Sequence, residues 1–208
     1  MQTPITDISQ KIPDIIRDQY EELSCDLQNT YLKWMMNRQL FGGGSELLNF
    51  LDDRAPSFFV AVQDSFITDL VVSVSRFTDR TPGTLSLGSI IKQLRKSCNS
   101  GLASELEELD KEIIEASKDV KTLRGDTVAH KGLSKLGKPL PNVSWSDVDA
   151  ILEKLARALN LIARHFLNSE IGYKDCITHG DAAEVVRLMR RGVAHEEAEI
   201  QQALMSPT

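Results

Sequence analysis

The residues best suited to chemistry are Arg124 and His130, which lie at the centre of a short basic stretch. The stretch runs from Lys118 to Lys138 and has a net charge of +4, whereas the whole chain has a net charge of −6. Its charged residues are the basic Lys118, Lys121, Arg124, Lys131, Lys135 and Lys138 and the acidic Asp119 and Asp126. An arginine, a nearby histidine and a cationic surround are suited to act on a phosphodiester.

Cleavage of RNA is the reaction that such a pair fits without a metal or other cofactor. RNA carries its own nucleophile, the 2′-hydroxyl, so the protein must supply a base for its proton, an acid for the leaving 5′-oxygen and positive charge beside the phosphate. A histidine titrates near neutral pH and serves as base or acid, and an arginine stays charged and binds two phosphate oxygens. One chain offers one histidine at this place, and a two-fold dimer would offer two.

The spacing of the pair leaves several interpretations open. In a regular α-helix a separation of six residues puts two side chains about 120° apart, so Arg124 and His130 would not converge on one face. Gly125 or a helix end near His130 could relax this, and convergence across a dimer interface is the other solution. Arg190 and His195 form a second match to the same pattern. On spacing alone, a structural histidine at a helix C-terminus is the simpler interpretation of His130.

Composition favours a globular protein of the reducing cytoplasm. The hydrophobic fraction of 41% and the charged fraction of 26% are ordinary for a soluble domain. The N-terminus has no signal-peptide pattern, and no apolar stretch approaches the roughly 20 residues that span a bilayer. Three widely separated cysteines, Cys25, Cys98 and Cys176, make neither a disulfide framework nor a zinc pattern. The acidic total charge excludes general coating of nucleic acid but not one local basic site.

Apolar residues recur at steps of three and four through most of the chain, and no alternating strand pattern occurs. The sequence therefore predicts an all-α fold, an up-and-down bundle of four or five principal helices with a C-terminal helical extension. The predicted divisions are a flexible N-terminal arm over residues 1–12, a helical bundle over 13–168 and the extension over 169–208.

Four predicted helices matter for the site and its surroundings. The first begins at Pro13 and ends at Phe41, before three glycines. The most apolar segment runs from Pro56 to Phe77, and we expect a central helix buried on most sides. A further helix from Leu102 to Leu123 leads straight into Arg124. The last one runs from about Ala182 to Arg191 and resumes through Ala203.

Acidic residues cluster on the helix that precedes Arg124. Their spacing lacks the geometry of a metal site, and we expect them to form a solvated face. They are Glu105, Glu107, Glu108, Asp110, Glu112 and Glu115.

Three short segments resemble the HEPN superfamily of small helical bundles, and within it the AbiU-like branch named from phage abortive infection. They are Arg76-Phe77-Thr78-Asp79 at the end of the central helix, Leu85-Ser86-Leu87 at the next helix start, and Arg124 to Ala129-His130. The resemblance covers residues 15–168. The family signature is an arginine, a polar residue, three to five further positions and a histidine. Gly125 stands where the family has its polar residue, and Asp126 follows one place later.

The resemblance implies a homodimer in which the two sites meet at the interface and cleave RNA without a metal. His130 would then be the acid or base, and Arg124 would hold the phosphate. Asp126, Arg76 and Asp79 are candidate supporting polar residues, and an Arg76–Asp79 ion pair at helical spacing is the simpler interpretation of the last two. Lys121 and Lys131 are candidate substrate-binding residues because of their charge beside the pair.

Two classes of function follow. The first is a metal-independent ribonuclease, a toxin or antiphage effector that acts on RNA as a homodimer. The second is a non-catalytic helical module that binds RNA, a nucleotide or a protein partner, for example as the regulatory subunit of a toxin–antitoxin pair. Gly125 and the acidic total charge favour the second class, and the local basic stretch favours the first. Neither class needs a membrane.

Overall fold

The computed structural model describes residues 11–97, 100–123, 143–175 and 180–205. Within these ranges the chain forms eight α-helices and no strand, which confirms the predicted all-α fold. Five of the helices are long, in agreement with the predicted number of principal helices. The helices are α1 (Asp14–Phe41), α2 (Ser45–Arg54), α3 (Pro56–Phe77), α4 (Leu87–Lys96), α5 (Ser100–Ala116), α6 (Lys118–Leu123), α7 (Trp145–Leu167) and α8 (Ala182–Met205).

The helix boundaries follow local signals in the sequence. The Pro13 carbonyl accepts a hydrogen bond from Arg17 N at 3.0 Å as α1 begins. Gly44 before α2 has a φ of 84°, a left-handed conformation that glycine adopts without strain. Ser144 caps α7: its side chain accepts from Asp147 N at 3.2 Å, and the Asp147 carboxylate accepts from Ser144 N at 2.9 Å. This reciprocal arrangement is a capping box.

The chain divides into two compact units. The first, here called the main unit, consists of Met1–Leu32 and Ile67–Cys176. The second, the minor unit, consists of Lys33–Phe66 and Ile177–Thr208. Both α1 and α3 contribute residues to each unit.

The core of the main unit is built from α4, α5 and α7 together with parts of α1 and α3. Leu94, Leu106 and Leu152 are completely buried in it. Tyr173, in the segment after α7, lies in the same unit and its hydroxyl is 2.8 Å from that of Ser24 on α1. Burial raises the pKa of the Tyr173 hydroxyl, so it stays a neutral hydrogen-bonding group.

The core of the minor unit is small. Its buried residues come from α1, α2, α3 and α8, and they are Leu40, Leu51, Phe59, Ala182 and Val186. The helix α8 continues without interruption past Gly192, whereas the sequence predicted a break near Arg191. No buried residue lies beyond Val186 in α8. The second half of this helix is therefore stabilised by its own backbone hydrogen bonds and by exposed contacts such as the Arg54–Glu197 ion pair.

Two further predictions about the helices were wrong. The helix α3 is not buried on most sides: Phe58 is 62% exposed and Val60 is 56% exposed, and its buried positions lie mainly from Leu70 onward. The predicted helix from 102 to 123 is divided at Ser117 into α5 and α6. Apolar periodicity continues through Ser117, and for that reason the division was not visible in the sequence.

One described helix, α3, is long and apolar enough to cross a membrane by length and composition alone. No such segment was expected from the sequence, so α3 departs from that prediction. A single helix of this kind is weak support for a membrane span, because core helices of soluble proteins satisfy the same criterion. Asp64 and Asp69 also lie within α3, and carboxylates are costly in hydrocarbon.

Candidate functional site

Arg124, Asp126, His130 and Lys131 lie outside the described residues, and the described segments that flank them in the sequence end at Leu123 and resume at residue 143. The helix α6 ends at Leu123, directly before Arg124, and α7 begins after its N-cap residue Ser144.

A hydrogen bond joins the helix α6 to the residue that follows α3. Val120 is 2% exposed, and the Lys121 ammonium donates to the Thr78 carbonyl oxygen at 3.3 Å. A cation is favourable beside the carbonyls that end a helix. Lys121, three residues before Arg124 in the sequence, therefore lies beside the Arg76–Asp79 segment, one of the segments that carry the family resemblance. Lys121, a predicted substrate-binding residue, has a structural contact here.

Arg76 and Asp79, the predicted supporting residues, make contacts with other parts of the main unit. Arg76 pairs with Asp26 on α1, whereas the sequence suggested a pair with Asp79. The Asp79 carboxylate accepts a hydrogen bond from Thr81 N at 2.8 Å and so shapes the turn after α3. Both contacts hold the end of α3 in place.

Arg80 was not singled out from the sequence, and the structure gives it a prominent position. Its guanidinium pairs with Asp110, whose side chain is 5% exposed. The expectation that all six acidic residues of α5 form a solvated face is therefore wrong for Asp110. Asp110 follows the buried Leu106 by four residues and so lies on the apolar face of α5, which was the signal available in the sequence.

Gly88, at the start of α4, makes room for Arg80. A Cβ atom added to Gly88 would lie 2.2 Å from Arg80 Nη1, which is too close for any side chain unless the guanidinium moves. Arg80 therefore lies over the first turn of α4 while it pairs with Asp110 on α5. The same region forms an open pocket of about 170 Å³. Its lining includes Asp79, Arg80, Thr81, Thr84, Ser86, Gly88 and Lys92.

The second arginine–histidine match does not form a joint site. Arg190 pairs with Glu46 at 3.1 Å and its guanidinium lies 5.3 Å from the centre of the Phe50 ring. His195 Nε2 lies 3.5 Å from a Glu199 carboxylate oxygen, and its side chain is 75% exposed. A separation of five residues in the continuous helix α8 directs the two side chains about 140° apart.

Metal-binding groups are absent from the part of the chain that the structure describes: no three histidine, cysteine or carboxylate side chains come together there. The sequence predicts that the acidic residues of α5 do not form a metal site. Several of these residues pair with basic side chains instead, for example Glu112 with Lys154 at 2.5 Å.

Comparison with known proteins identifies the family. The model of the HEPN_AbiU2 family, described as AbiU2, matches residues 14–185. No curated protein and no solved structure matches the chain. The family match covers well over half of the 208 residues, includes Arg124 and His130, and extends past residue 168, where the predicted bundle ends. The chain belongs to the AbiU2 family of HEPN domains.

Proposed function

We propose that this protein is a metal-independent ribonuclease of HEPN type, acting in the cytoplasm as a toxin or antiphage effector. The observation that carries the proposal is the family match, which includes Arg124 and His130 in the order of the family signature. The basic stretch around the pair supports it, because a net charge of +4 attracts a polyanion to an otherwise acidic chain.

The reaction is an internal transfer at phosphorus. The 2′-oxygen attacks the adjacent phosphorus, a histidine takes the 2′-hydroxyl proton, and the bond between phosphorus and the 5′-oxygen breaks. A second acid protonates the leaving 5′-oxygen, and the products are a 2′,3′-cyclic phosphate and a free 5′-hydroxyl. Arg124 binds the non-bridging oxygens as negative charge grows on them. A second copy of the chain would supply a second His130, so that one histidine is the base and the other the acid.

The test is cleavage of mixed RNA in the presence of EDTA. We expect the wild type to cleave the RNA. We expect the cleavage rates of His130→Ala and Arg124→Ala to be lower than that of the wild type by a factor of about 100 or more. The matched controls are His195→Ala and Arg190→Ala, which remove the same residue types from α8 and should cleave as the wild type does. A product with a 2′,3′-cyclic phosphate end would identify attack by the 2′-hydroxyl.

Two outcomes contradict the proposal. Cleavage by His130→Ala at the wild-type rate would mean that the site is wrong. No cleavage by pure wild type, with RNA binding that survives His130→Ala, would favour the non-catalytic module. Gly125 is the observation that favours this alternative, because the family has a polar residue at that position. Co-purification of a protein partner from the native host would identify a regulatory subunit.

A further inference from the structure

Basic residues are concentrated in the turn after α3 and along α4. The stretch from 76 to 96 carries five basic residues and one acidic residue, so its net charge is +4. The helix α4 itself has no acidic residue. Charged residues in this stretch are Arg76, Asp79, Arg80, Lys92, Arg95 and Lys96. In a chain of net charge −6, this is a second basic stretch of the sequence, in addition to the one around Arg124.

Three of these cations form a row, here called the α4 row: Arg80, Lys92 and Lys96. The Arg80 guanidinium lies against Gly88, since a Cβ atom there would be 2.2 Å from its Nη1. Positions 88, 92 and 96 are successive steps of four, so they follow one side of α4 at a rise of about 6 Å per step. The row therefore presents positive charge at regular intervals along the helix.

The members of the row are available to a ligand in different ways. Arg80 is fixed by its pair with the buried Asp110, yet half of its side chain is exposed. Lys92 and Lys96 are exposed. Within the described residues, neither side chain makes a hydrogen bond or an ion pair. By contrast, Arg95 pairs with Glu107 and Arg76 with Asp26. The pocket of about 170 Å³ opens between Arg80 and Lys92.

We propose that the α4 row binds successive phosphates of a single-stranded RNA. Regularly spaced cations on a rigid helix fit the repeating charge of a sugar–phosphate backbone, and a fixed guanidinium binds two oxygens of one phosphate. Arg80 of the row follows Thr78 by two residues, and the Thr78 carbonyl accepts a hydrogen bond from Lys121 of α6, the last described helix before Arg124 in the sequence. The identification of the strand as substrate rests on the proposed ribonuclease function.

The test measures binding separately from cleavage. Single-stranded 2′-O-methyl RNA has no free 2′-hydroxyl and is not cut, so its binding is followed by fluorescence anisotropy at a series of salt concentrations. The variant Lys92→Ala/Lys96→Ala should bind at least several-fold more weakly, and the slope of log affinity against log salt should fall by about 1.4, or about 0.7 for each lost phosphate contact. The control Lys111→Ala/Lys174→Ala loses the same charge from other exposed sites and should keep the wild-type slope.

A second variant separates a placed cation from general attraction. Gly88→Ala leaves the net charge unchanged but displaces the Arg80 guanidinium from α4. We expect weaker binding of the 2′-O-methyl RNA by Gly88→Ala, with a native circular dichroism spectrum. The control is Gly101→Ala, since nothing lies within 4 Å of a Cβ atom added there.

Three results would overturn the inference. Equal loss of binding in the Lys111→Ala/Lys174→Ala control would mean that only total charge matters. An unchanged salt slope in Lys92→Ala/Lys96→Ala would exclude phosphate contacts by the α4 row. Equally tight binding of a poly-glutamate peptide of matched charge would identify a protein-like acidic ligand instead.

The binding test of the α4 row and the cleavage test of the ribonuclease proposal can fail independently of each other. If the α4 row governs binding but the wild type does not cleave unmodified RNA, the row stands and the ribonuclease proposal fails. If His130→Ala abolishes cleavage while Lys92→Ala/Lys96→Ala binds with the wild-type slope, the ribonuclease stands and the row fails.

Discussion

The main and minor units use their apolar residues differently. The main unit holds nearly all of the fully buried large side chains, including Phe77, Ile90 and Ile113. The minor unit contains about a third of the chain, but eight of the eleven exposed large hydrophobic residues that the structure describes lie in it. They are Leu48, Phe58, Val60, Val185, Leu188, Ile200, Leu204 and Met205. Most large apolar side chains of the main unit are thus packed in its core, whereas many of those in the minor unit are not covered within one chain.

Apolar periodicity alone therefore does not report burial. Both α3 and α8 have apolar residues at helical spacing along their whole length, but the spacing specifies only which side of the helix is apolar. Whether that side is covered depends on which other elements reach it. Exposed apolar surface of this extent is often found where proteins associate, and the homodimer in the ribonuclease proposal would provide such an association.

The largest expected contrast comes from the same substitution in each unit. Leu106→Ala removes a side chain that is completely buried in the main unit and should lower the free energy of unfolding by about 2–5 kcal/mol. Leu204→Ala changes a residue that is 82% exposed in the minor unit and should alter it by less than about 0.5 kcal/mol. Urea denaturation followed by circular dichroism measures both. A large, concentration-dependent effect of Leu204→Ala would show that a second copy covers α8 in solution.

Ion pairs should show a smaller contrast of the same kind. Arg80→Ala leaves the nearly buried Asp110 carboxylate without its partner and should cost about 1–3 kcal/mol. Arg54→Ala breaks a 3.6 Å contact with Glu197 in the minor unit, in which both side chains are well exposed, and should cost less than about 0.5 kcal/mol. Equal effects on the midpoint of urea denaturation would mean that burial does not govern these pairs.

The smallest effects concern acid sensitivity, and here the two units should behave alike. Hydrogen bonds from the Ser144 side chain and backbone lower the pKa of Asp147 in the main unit. A hydrogen bond from Gln39 is the main cause that lowers the pKa of Asp181 in the minor unit. A carboxylate with a lowered pKa contributes stability above its unfolded-state pKa of about 3.8, and this contribution is lost as the pH falls through the folded-state value.

The measurement is the melting temperature as the pH falls from neutral to below the usual carboxyl range. Asp147→Asn and Asp181→Asn should each be less stable than the wild type at neutral pH, and each should lose less stability on acidification. A decline as steep as that of the wild type in either variant would exclude that carboxylate as a source of acid sensitivity.

Much of the fold could be predicted because its signals are local. Pro56, Ser86 and Ser144 mark helix starts, and the glycines after Phe41 mark a helix end; each acts within one or two turns. The division at Ser117 and the continuity of α8 through Gly192 were missed. In both places the local preference is weak, and packing or helix propagation decides the conformation.

The candidate site was predictable in part. Residue type and the order of three short segments led to Arg124, His130 and the family. The family match confirms the family, and the roles of Arg124 and His130 stay predictions. Arg80 and Gly88 were missed because their importance depends on Asp110, which lies 30 residues from Arg80 in the chain. A buried carboxylate on the apolar side of a helix was the signal that could have led to them.

The helical class, the positions of most helix ends and the family could be predicted from the sequence, because capping, proline and glycine effects and apolar spacing act between near neighbours. The pairing of Arg76 with Asp26 and of Arg80 with Asp110, and the exposure of the first half of α3, became visible in the folded chain alone. Those features depend on contacts between residues far apart in the chain, and such contacts form only when whole helices pack together.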